Sequence, residues 1–425
     1  MTLFIATAIL VVLALLGMPL FAVILALAML GFLAGGIDLA VVASEVYRIT
    51  DTPLLVALPL FTFAGYLLGG SRAPQRLVDL TQALLGWIPG GLAIVAFVSC
   101  ALFTAFTGAS GVTIVALGAL LLPALRQAEY TEPFSLGLVT SSGSLGLLLP
   151  PSLPLILYGI IAQQMGATGV TIRALFLAGI LPALLMIVLL SLWSLWANRN
   201  QPMPLIPFSG ARALRALRAA AWEIPLPLVV LGGIYGGILA VSETAAVTAM
   251  YVLVVEVFIH REIGFRALGG IMRESMVMVG GIILILAASL ALTNVIIDAE
   301  VPTRIFNLIQ AHVSGKFMFL IFLNLFLLVL GALLDIFSAI IIMVPIILPV
   351  AVSYGIDPVH LGIIFLANMQ IGYITPPVGM NLFIASYRFG KPVDSLYKAA
   401  FPFMLVLFGA VLVITYWPWL SLVFV

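Results

Sequence analysis

Long apolar segments follow one another along the 425-residue chain, and polar residues collect in the connections between them. Several segments reach the roughly 20 residues that a helix needs to cross a bilayer core. Their continuous rather than alternating apolar character favours helices, which satisfy their own backbone hydrogen bonds in lipid. The pattern therefore predicts an all-α polytopic membrane protein.

Two of these segments contain the same kind of polar interruption. The first is SSGSLGLLLPPSLP (141–154) and the second is ANMQIGYITPPVGMN (367–381). Each contains a Pro-Pro pair, which removes backbone donors and disfavours helix in the preceding residue. We therefore predict two broken transmembrane helices, 135–165 and 360–386, whose freed carbonyl groups face protein or a water-filled cavity.

Two other segments, 92–125 and 317–349, are too long for single crossings. About 33 residues would form a helix of roughly 50 Å, against a bilayer core of roughly 30 Å. Each has small or polar residues at its middle, TAFTGASGVT (104–113) and GALLDIFSA (331–339). We predict two re-entrant helical hairpins that enter the membrane from opposite faces.

Arginine-rich connections indicate how the chain is oriented in the membrane. Two consecutive connections hold Arg199, Arg212, Arg215 and Arg218, and Arg261, Arg266 and Arg273, respectively. The apolar stretches 224–241 and 243–259 between them are long enough for two crossings, so both connections lie on one side. The positive-inside rule places that side in the cytoplasm. Following the predicted crossings from these connections, the two predicted broken helices cross the membrane in opposite directions.

The two halves of the chain also share a sequence repeat. At an offset of 226, the pairs are Pro123 with Pro349, Gly146 with Gly372, and Pro150-Pro151 with Pro376-Pro377. Because the two copies run in opposite directions, they form an inverted-topology repeat, which is typical of secondary transporters. The predicted division is N-terminal scaffold helices (1–70), a first repeat with its arm (71–165), connecting scaffold helices (166–297), a second repeat with its arm (298–386) and a C-terminal helix (387–425).

A hairpin tip that faces an unwound helix supplies carbonyl and hydroxyl oxygens, which suit Na⁺, and helix N-termini, which favour an anion. The predicted sodium-site residues are Gly108, Ser110, Ser141, Gly143, Gly146, Asp335, Asn368, Met369, Gly372 and Thr375. The predicted substrate-binding residues are Thr107, Ser142, Ser144, Gln370 and Asn381. Alternatively, each hydroxyl bonds its own helix and each glycine serves close packing.

Charged and titratable residues inside the apolar segments need their own explanation. A carboxylate at a hairpin tip is costly unless it is partnered, so Asp335 is interpreted as a cation ligand or a buried hydrogen-bonded group. Glu243 is predicted to cap a helix, and Glu256 to snorkel towards the cytoplasm. The three histidines, His260, His312 and His360, are placed in loops without the spacing of a metal site.

Composition excludes several classes. A net charge of +1 without a basic stripe argues against nucleic-acid binding, and the single cysteine, Cys100, excludes a disulfide framework. The chain contains no G-x-x-x-x-G-K-[ST] motif for an in-chain nucleotide site and no H-E-x-x-H motif for a metalloenzyme. We therefore expect neither an enzyme nor a primary pump.

At the hairpins and helix breaks, the chain resembles the large membrane subunit of the tripartite ATP-independent periplasmic (TRAP) transporters, the DctM-type permeases. The motifs are GASG (108–111), SSGSLGLLLPPS (141–152), GALLDIFSAIIIMVPIILPV (331–350) and GYITPPVGMNLF (372–383). One departure is AVSETAA (240–246), which lacks the proline that the family usually has before this glutamate.

This resemblance implies an elevator-type importer of an anionic organic acid, driven by Na⁺ as coupling ion and without another cofactor. It implies a multi-pass protein of the bacterial inner membrane, working with a small four-helix membrane subunit and a periplasmic substrate-binding protein. The alternative is a two-component carrier of the divalent-anion or arsenite type, which needs no binding protein. Uptake with and without a binding protein distinguishes the two.

Overall fold

All regular secondary structure is helical in the residues that the computed structural model describes: 6, 9, 10, 12–14, 16–88, 90–200, 207–310, 313 and 315–425. Part of the predicted segment 1–70 and His312 lie outside these residues. The helices are α1 (Leu20–Ala34), α2 (Ala40–Tyr47), α3 (Ala57–Gly70), α4 (Ala73–Leu85), α5 (Gly91–Thr107), α6 (Ser110–Gln127), α7 (Glu132–Ser142), α8 (Leu153–Gln164), α9 (Ile172–Ala197), α10 (Gly210–Ala219), α11 (Pro225–Tyr235), α12 (Val241–Leu253), α13 (Phe265–Asp298), α14 (Val301–Gln310), α15 (Lys316–Leu333), α16 (Ile336–Ser353), α17 (Pro358–Gly372), α18 (Met380–Phe389), α19 (Val393–Tyr416) and α20 (Trp419–Leu422).

Within the described ranges, eight helical segments are long and apolar enough to cross a membrane. They are Pro53–Gly70, Ser110–Gln127, Ile172–Ala197, Val241–Ile259, Phe265–Asp298, Lys316–Leu333, Ile336–Ser353 and Val393–Tyr416. Helices α7 and α8 form a further span that is bent by 41° at its break. The predicted all-α polytopic fold is therefore confirmed.

The first predicted hairpin consists of α5 and α6, which are joined at Gly108 and Ala109. The hydroxyl groups of Thr104 and Thr113, one turn to either side of this tip, lie 2.7 Å apart. The two helices also pack against each other. The chain therefore reverses direction at the tip, as a re-entrant hairpin requires.

The second predicted hairpin consists of α15 and α16, which are joined at Leu334 and Asp335. At its open end, the Lys316 ammonium group donates to the carbonyl of Gly355 at 2.8 Å. Beside it, the rings of Phe319 and Tyr354 stack with centroids 4.4 Å apart. The beginning of α15 thus meets the end of α16, which confirms the reversal.

Both predicted broken helices are broken at their Pro-Pro pairs. Helix α7 ends at Ser142, a 3₁₀ turn covers Leu145–Leu148, and α8 begins at Leu153. Helix α17 ends at Gly372, and α18 begins at Met380. The Pro-Pro peptide bond is cis in both repeats.

The two broken helices lie antiparallel. The Tyr158 hydroxyl, late in the first broken helix, donates to the carbonyl of Pro358 at the start of the second, at 2.6 Å. The Asn381 amide, late in the second, donates to the carbonyl of Thr140, early in the first, at 3.4 Å. The end of each copy thus meets the beginning of the other, as the predicted inverted topology requires.

Glycines at equivalent positions allow each hairpin to pack closely on its own broken helix. A Cβ on Gly146 would lie 2.5 Å from the backbone nitrogen of Ala105 in α5. A Cβ on Gly372 would lie 2.4 Å from the Cα of Gly331 in α15. Ala105 and Gly331 are themselves 226 residues apart, so the repeat in the sequence is also a repeat of helix contacts.

Helices outside the repeats form the surroundings of these hairpins. Helices α1, α2 and α3 pack on α13, and α3 also packs on α12. The C-terminal helix α19 packs on α7 and α9. The predicted boundaries between scaffold and repeats stay predictions.

Both arginine-rich connections lie at one end of the molecule, as predicted. The Arg76 guanidinium group, in α4, binds Glu223 at 2.5 Å and Glu262 at 2.6 Å. Glu223 lies at the end of the first basic connection, and Glu262 lies in the second. The helix pair α11 and α12, which joins these connections, therefore begins and ends on the same side of the membrane. Helix α11 is shorter than the predicted crossing at 224–241.

Two predictions about titratable residues are wrong, and one is confirmed. Glu256 does not snorkel: its side chain is fully buried and lies 3.3 Å from the Arg76 guanidinium group, which compensates its charge where water does not reach. His360 lies in α17 rather than in a loop. The Asp357 carboxylate caps that helix, which begins at Pro358. Glu243 caps α12 by accepting from the Ala240 amide at 2.7 Å.

Candidate functional site

The two hairpin tips meet across a cavity of about 410 Å³. One side is lined by 108–112 of the first tip and the other by 335–338 of the second tip. Leu147 and Tyr373, which lie at the two helix breaks, also line it, together with residues of α3, α13 and α18. Of the predicted site residues, Gly108, Ser110 and Asp335 line this cavity.

The first tip presents an uncapped helix N-terminus. Helix α6 begins at Ser110 after Ala109, and no side chain of the described residues caps it. The first amide bonded within the helix is that of Thr113, which reaches the carbonyl of Ala109 at 3.4 Å. The preceding amides, together with the partial positive charge of the helix end, favour an anionic group in the cavity.

Gly108 makes the sharp turn at this tip possible. Its φ of +64° lies in the left-handed region, where residues with a Cβ are disfavoured. A Cβ here would also lie 2.4 Å from the side chain of Leu153. Any other residue at position 108 would strain the backbone and collide with Leu153, so the turn at the first tip requires glycine.

The second tip presents a helix N-terminus that protein groups already occupy. One carboxylate oxygen of Asp335 accepts from the amides of Phe337 and Ser338, both at 3.0 Å. The Tyr373 hydroxyl accepts from the amide of Ile336 at 2.8 Å. The hydrogen-bonded interpretation of Asp335 thus holds for Oδ1. Within the described part of the chain, Oδ2 has no hydrogen-bond donor, and the role of Asp335 as a cation ligand stays a prediction.

A second group of predicted residues does not line the cavity. Thr107, Ser141, Gln370 and Asn381 are fully buried, and each has a side-chain oxygen without a hydrogen-bond partner among the described residues. An unsatisfied buried polar atom costs about 1–3 kcal/mol, so these oxygens would be stabilised by a bound water, cation or substrate. Hydroxyl and amide oxygens are also the donors that a hard cation prefers.

Other predicted residues bond within the protein. The Ser142 hydroxyl donates to the carbonyl of Val139 in its own helix at 3.2 Å, and the Thr375 hydroxyl, in the break, donates to that of Ile371 near the end of α17 at 2.8 Å. The carbonyl of Gly143 accepts from Thr104 at 2.8 Å. Among the predicted glycines, Gly146 and Gly372 stand at helix crossings, where Met369 also contacts Gly331.

Asn368 faces away from the cavity. Its amide donates to the Asn324 side-chain oxygen at 2.7 Å, and the Thr415 hydroxyl donates to the same oxygen at 3.1 Å. This buried contact joins α15, α17 and α19. The predicted role of Asn368 as a sodium ligand stays a prediction.

Sequence reasoning missed several groups that line the cavity: Tyr66, Gly111, Met278, Ser338 and Tyr373. Tyr373 lies inside the second polar interruption, which was a signal that could have found it. Tyr66 and Met278 lie in ordinary apolar helices, and only the folded chain brings them to the hairpin tips. The Tyr66 hydroxyl donates to the Met278 sulfur at 3.4 Å.

Inverted repeats with opposed hairpins and broken helices around a central cavity define a secondary-transporter type of membrane protein. Comparison with known families narrows this class. Residues 7–420 match the family model described as "Tripartite ATP-independent periplasmic transporter, DctM component". The chain belongs to this family, and it is a multi-pass protein of the inner membrane.

Individual relatives agree with this assignment. The chain is 33% identical over 381 residues to a C4-dicarboxylate TRAP transporter large permease protein of Pseudomonas aeruginosa, covering 89% of this chain and 88% of that one. It is also 33% identical over 398 residues to an isethionate TRAP transporter permease protein of Oleidesulfovibrio alaskensis, covering 92% of this chain. Its match spans only 61% of that longer relative.

Among solved structures, the chain is similar to the YdaH transporter of Alcanivorax borkumensis, whose structure was described as having an unusual topology. The TM-score is 0.62 at 16% sequence identity, with 88% of this chain and 87% of that chain covered. At this identity the similarity concerns the fold alone.

Proposed function

We propose that this protein imports an organic acid together with Na⁺. It acts as the large membrane subunit of a tripartite system that contains a small four-helix membrane subunit and a periplasmic substrate-binding protein. The hairpins and broken helices carry the substrate across the membrane by an elevator movement against α1–α3, α12 and α13. No chemical transformation of the substrate is involved.

The observation that carries the proposal is the unequal chemistry of the two hairpin tips. The first tip offers the free amides at the start of α6 to the cavity, whereas the second offers the carboxylate of Asp335. An acid group of the substrate is favoured at the first tip, because the helix end carries partial positive charge. A cation is favoured near Asp335, whose second oxygen is available.

Sodium coupling follows from the same electrostatics. An anionic substrate between a helix N-terminus and a carboxylate is repelled by the carboxylate unless a cation lies close by. Oxygen ligands are present at Asp335 and in the buried group of Thr107, Ser141, Gln370 and Asn381. Binding of Na⁺ at these oxygens thus precedes or accompanies binding of the acid.

The partners and the substrate class are inferred from the family. Its name denotes a tripartite periplasmic system, and the relatives above are named for isethionate and C4-dicarboxylates, which are acidic compounds. A cavity of about 410 Å³ has room for a small acid of this kind. In this arrangement the periplasmic protein selects the substrate and delivers it to the membrane subunits.

The proposal is tested by uptake into proteoliposomes that contain the chain with its small membrane subunit. Candidate acids are offered with and without the cognate binding protein, under an inward Na⁺ gradient and under an equal K⁺ gradient. We expect uptake only when both the binding protein and the Na⁺ gradient are present. Uptake that is equally fast without the binding protein contradicts the proposed tripartite system and favours the two-component carrier. Uptake that is equally fast under the K⁺ gradient contradicts the sodium coupling.

A further inference from the structure

Helix α10 lies within the first arginine-rich connection and has three distinct sides. Ala213 and Ala216 are buried and face α4, the arm of the first repeat. Leu214 and Leu217 are exposed to 50% and 39%. The remaining side carries Arg212, Arg215 and Arg218, which are also exposed. Only one side of this helix is therefore explained by packing within the protein.

The arginine side has no acidic partner. None of these three guanidinium groups forms an ion pair with another described residue. Among the described residues, one of these groups forms a hydrogen bond: Arg215 Nε donates to the carbonyl of Ala211 in the same helix, at 3.3 Å. Because they recur every three residues, their charges form one continuous stripe along α10.

Large apolar residues are also exposed beyond both ends of the helix. Phe208, just before α10, and Trp222, just after it, are exposed to 60% and 44%. A helix with basic residues on one side and exposed leucine and aromatic residues on the next is typical of helices that lie in the membrane interface. The exposed apolar side is thus suited to the outer acyl region of a leaflet, and the arginines to its headgroups.

The position of α10 fits this arrangement. The positive-inside rule places its connection on the cytoplasmic side, where the leaflet carries anionic lipids. The chain then continues to Glu223, which binds Arg76 of α4 at 2.5 Å. Whatever holds α10 at the membrane surface therefore also holds the arm of the first repeat.

We infer that α10 is a docking surface for the anionic phospholipids of the cytoplasmic leaflet, with Arg212, Arg215 and Arg218 on their headgroup phosphates and Leu214 and Leu217 among the first acyl carbons. Charge complementarity carries this choice of partner, since three unpaired cations face a negatively charged surface. By this contact the leaflet holds the arm α4 in place while the hairpin beside it moves.

The test uses the full chain in nanodiscs and measures amide hydrogen exchange in 210–219. Nanodiscs of phosphatidylcholine are compared with nanodiscs in which about a third of the lipid is phosphatidylglycerol. We expect exchange to be at least about fivefold slower in the anionic nanodiscs, which corresponds to about 1 kcal/mol for one cation near such a surface. The difference should shrink at high salt, because screening shortens the range of the attraction.

Variants separate charge from other effects. The triple variant R212Q/R215Q/R218Q should lose the difference between the two nanodiscs, whereas R212K/R215K/R218K should keep most of it. Arg199→Gln, in the same connection but outside α10, should behave like the unchanged chain. Equal exchange of the unchanged chain in both nanodiscs, or a lipid effect that survives high salt, overturns the proposal. Equal protection by inorganic phosphate in phosphatidylcholine nanodiscs also overturns it, since the site would then bind a soluble anion.

Discussion

The Ser144 hydroxyl lies 3.4 Å from the backbone carbonyl oxygen of Gln370, the equivalent position 226 residues later in the second repeat. Equivalent positions of two inverted copies can touch only where the axis that relates the copies passes between them. The two helix breaks therefore contact each other at that axis, and each also lies next to the tip of a hairpin. This places the sodium and substrate ligands that we propose near the centre of the molecule.

The repeat contacts predict a strong effect of adding one methyl group at Gly146 or Gly372. In Gly146→Ala the new Cβ would lie 2.1 Å from the Ala101 carbonyl oxygen, and in Gly372→Ala 2.4 Å from the Cα of Gly331. Because both obstacles are backbone, the helices must separate, at a cost of about 1–3 kcal/mol or more. We expect a lower thermal unfolding midpoint of both variants in detergent.

Gly409→Ala provides the matched control, since it lies inside α19 with no atom within 4 Å of an added Cβ. This variant should be as stable as the unchanged protein or slightly more stable, because alanine favours helix over glycine. Gly146→Ala or Gly372→Ala with the same midpoint as Gly409→Ala would mean that the close crossings are not present.

The inverted topology predicts which exposed residues can be labelled from each side. Single cysteines at Ala211, within the first basic connection, and at Ala299, between α13 and α14, occupy exposed positions. In a Cys100→Ala background, we expect an impermeant maleimide to label Ala211→Cys only in inside-out vesicles and Ala299→Cys only in right-side-out vesicles. Labelling of both positions from the same side contradicts the topology.

The Arg76 cluster predicts a large loss of stability when its arginine is replaced. In Arg76→Met, the carboxylates of Glu223, Glu256 and Glu262 remain close together without their partner. Breaking a buried ion pair from one side costs roughly 3–5 kcal/mol. Arg72→Met, in the same region with an exposed side chain, should change the free energy of unfolding by no more than about 0.5 kcal/mol. Equal losses in mixed-micelle unfolding would show that the cluster has no special role.

The same cluster predicts a dependence of stability on pH. Burial raises the pKa of Glu262, but hydrogen bonds from the Arg72 amide and the Arg76 guanidinium group lower that pKa overall, below its ordinary value of 4.5. A carboxyl group with a lowered pKa stabilises the folded state above pH 4.5, and this contribution is lost as the pH falls through the folded-state pKa. The difference in unfolding free energy between the unchanged protein and Glu262→Gln should therefore shrink on acidification below about pH 4.5. A difference that stays constant with pH contradicts this assignment.

The architecture could be predicted from the sequence because it follows from length, apolar character and proline. The Pro-Pro pairs indicated both helix breaks, and the excess length of 92–125 and 317–349 indicated both hairpins. The offset of 226 between Gly146 and Gly372 proved to be a relation between helix crossings. These features depend on local backbone chemistry, which the sequence carries directly.

The directions of individual side chains could not be predicted in the same way. The rotation of each helix in the packed structure decides whether a hydroxyl or amide faces the cavity, a neighbouring helix or its own backbone. Ser142 bonds its own helix, Thr375 bonds the end of the preceding helix, and Asn368 donates to Asn324. Glu256 was expected to reach water, but Arg76, 180 residues away in the chain, binds it instead.

The central claim is that Asp335 balances a sodium ion at the second hairpin tip. Asp335→Asn tests it cleanly, because asparagine caps a helix about as well as aspartate and removes only the charge. Ser110→Ala, at the opposite tip, serves as the comparison, since it removes one neutral oxygen and should cost about 0.5–1.5 kcal/mol.

The most direct measurement is substrate uptake as a function of Na⁺ concentration, in proteoliposomes that carry the complete tripartite system. Attraction between two unit charges 4 Å apart is roughly 4 kcal/mol at an effective dielectric constant of 20, before desolvation is subtracted. A net loss of about 1–3 kcal/mol in Asp335→Asn should raise the half-saturating Na⁺ concentration by roughly 5- to 150-fold. An unchanged sodium dependence, in a variant that reaches the membrane in normal amount, would contradict the claim and leave Asp335 as a helix cap alone.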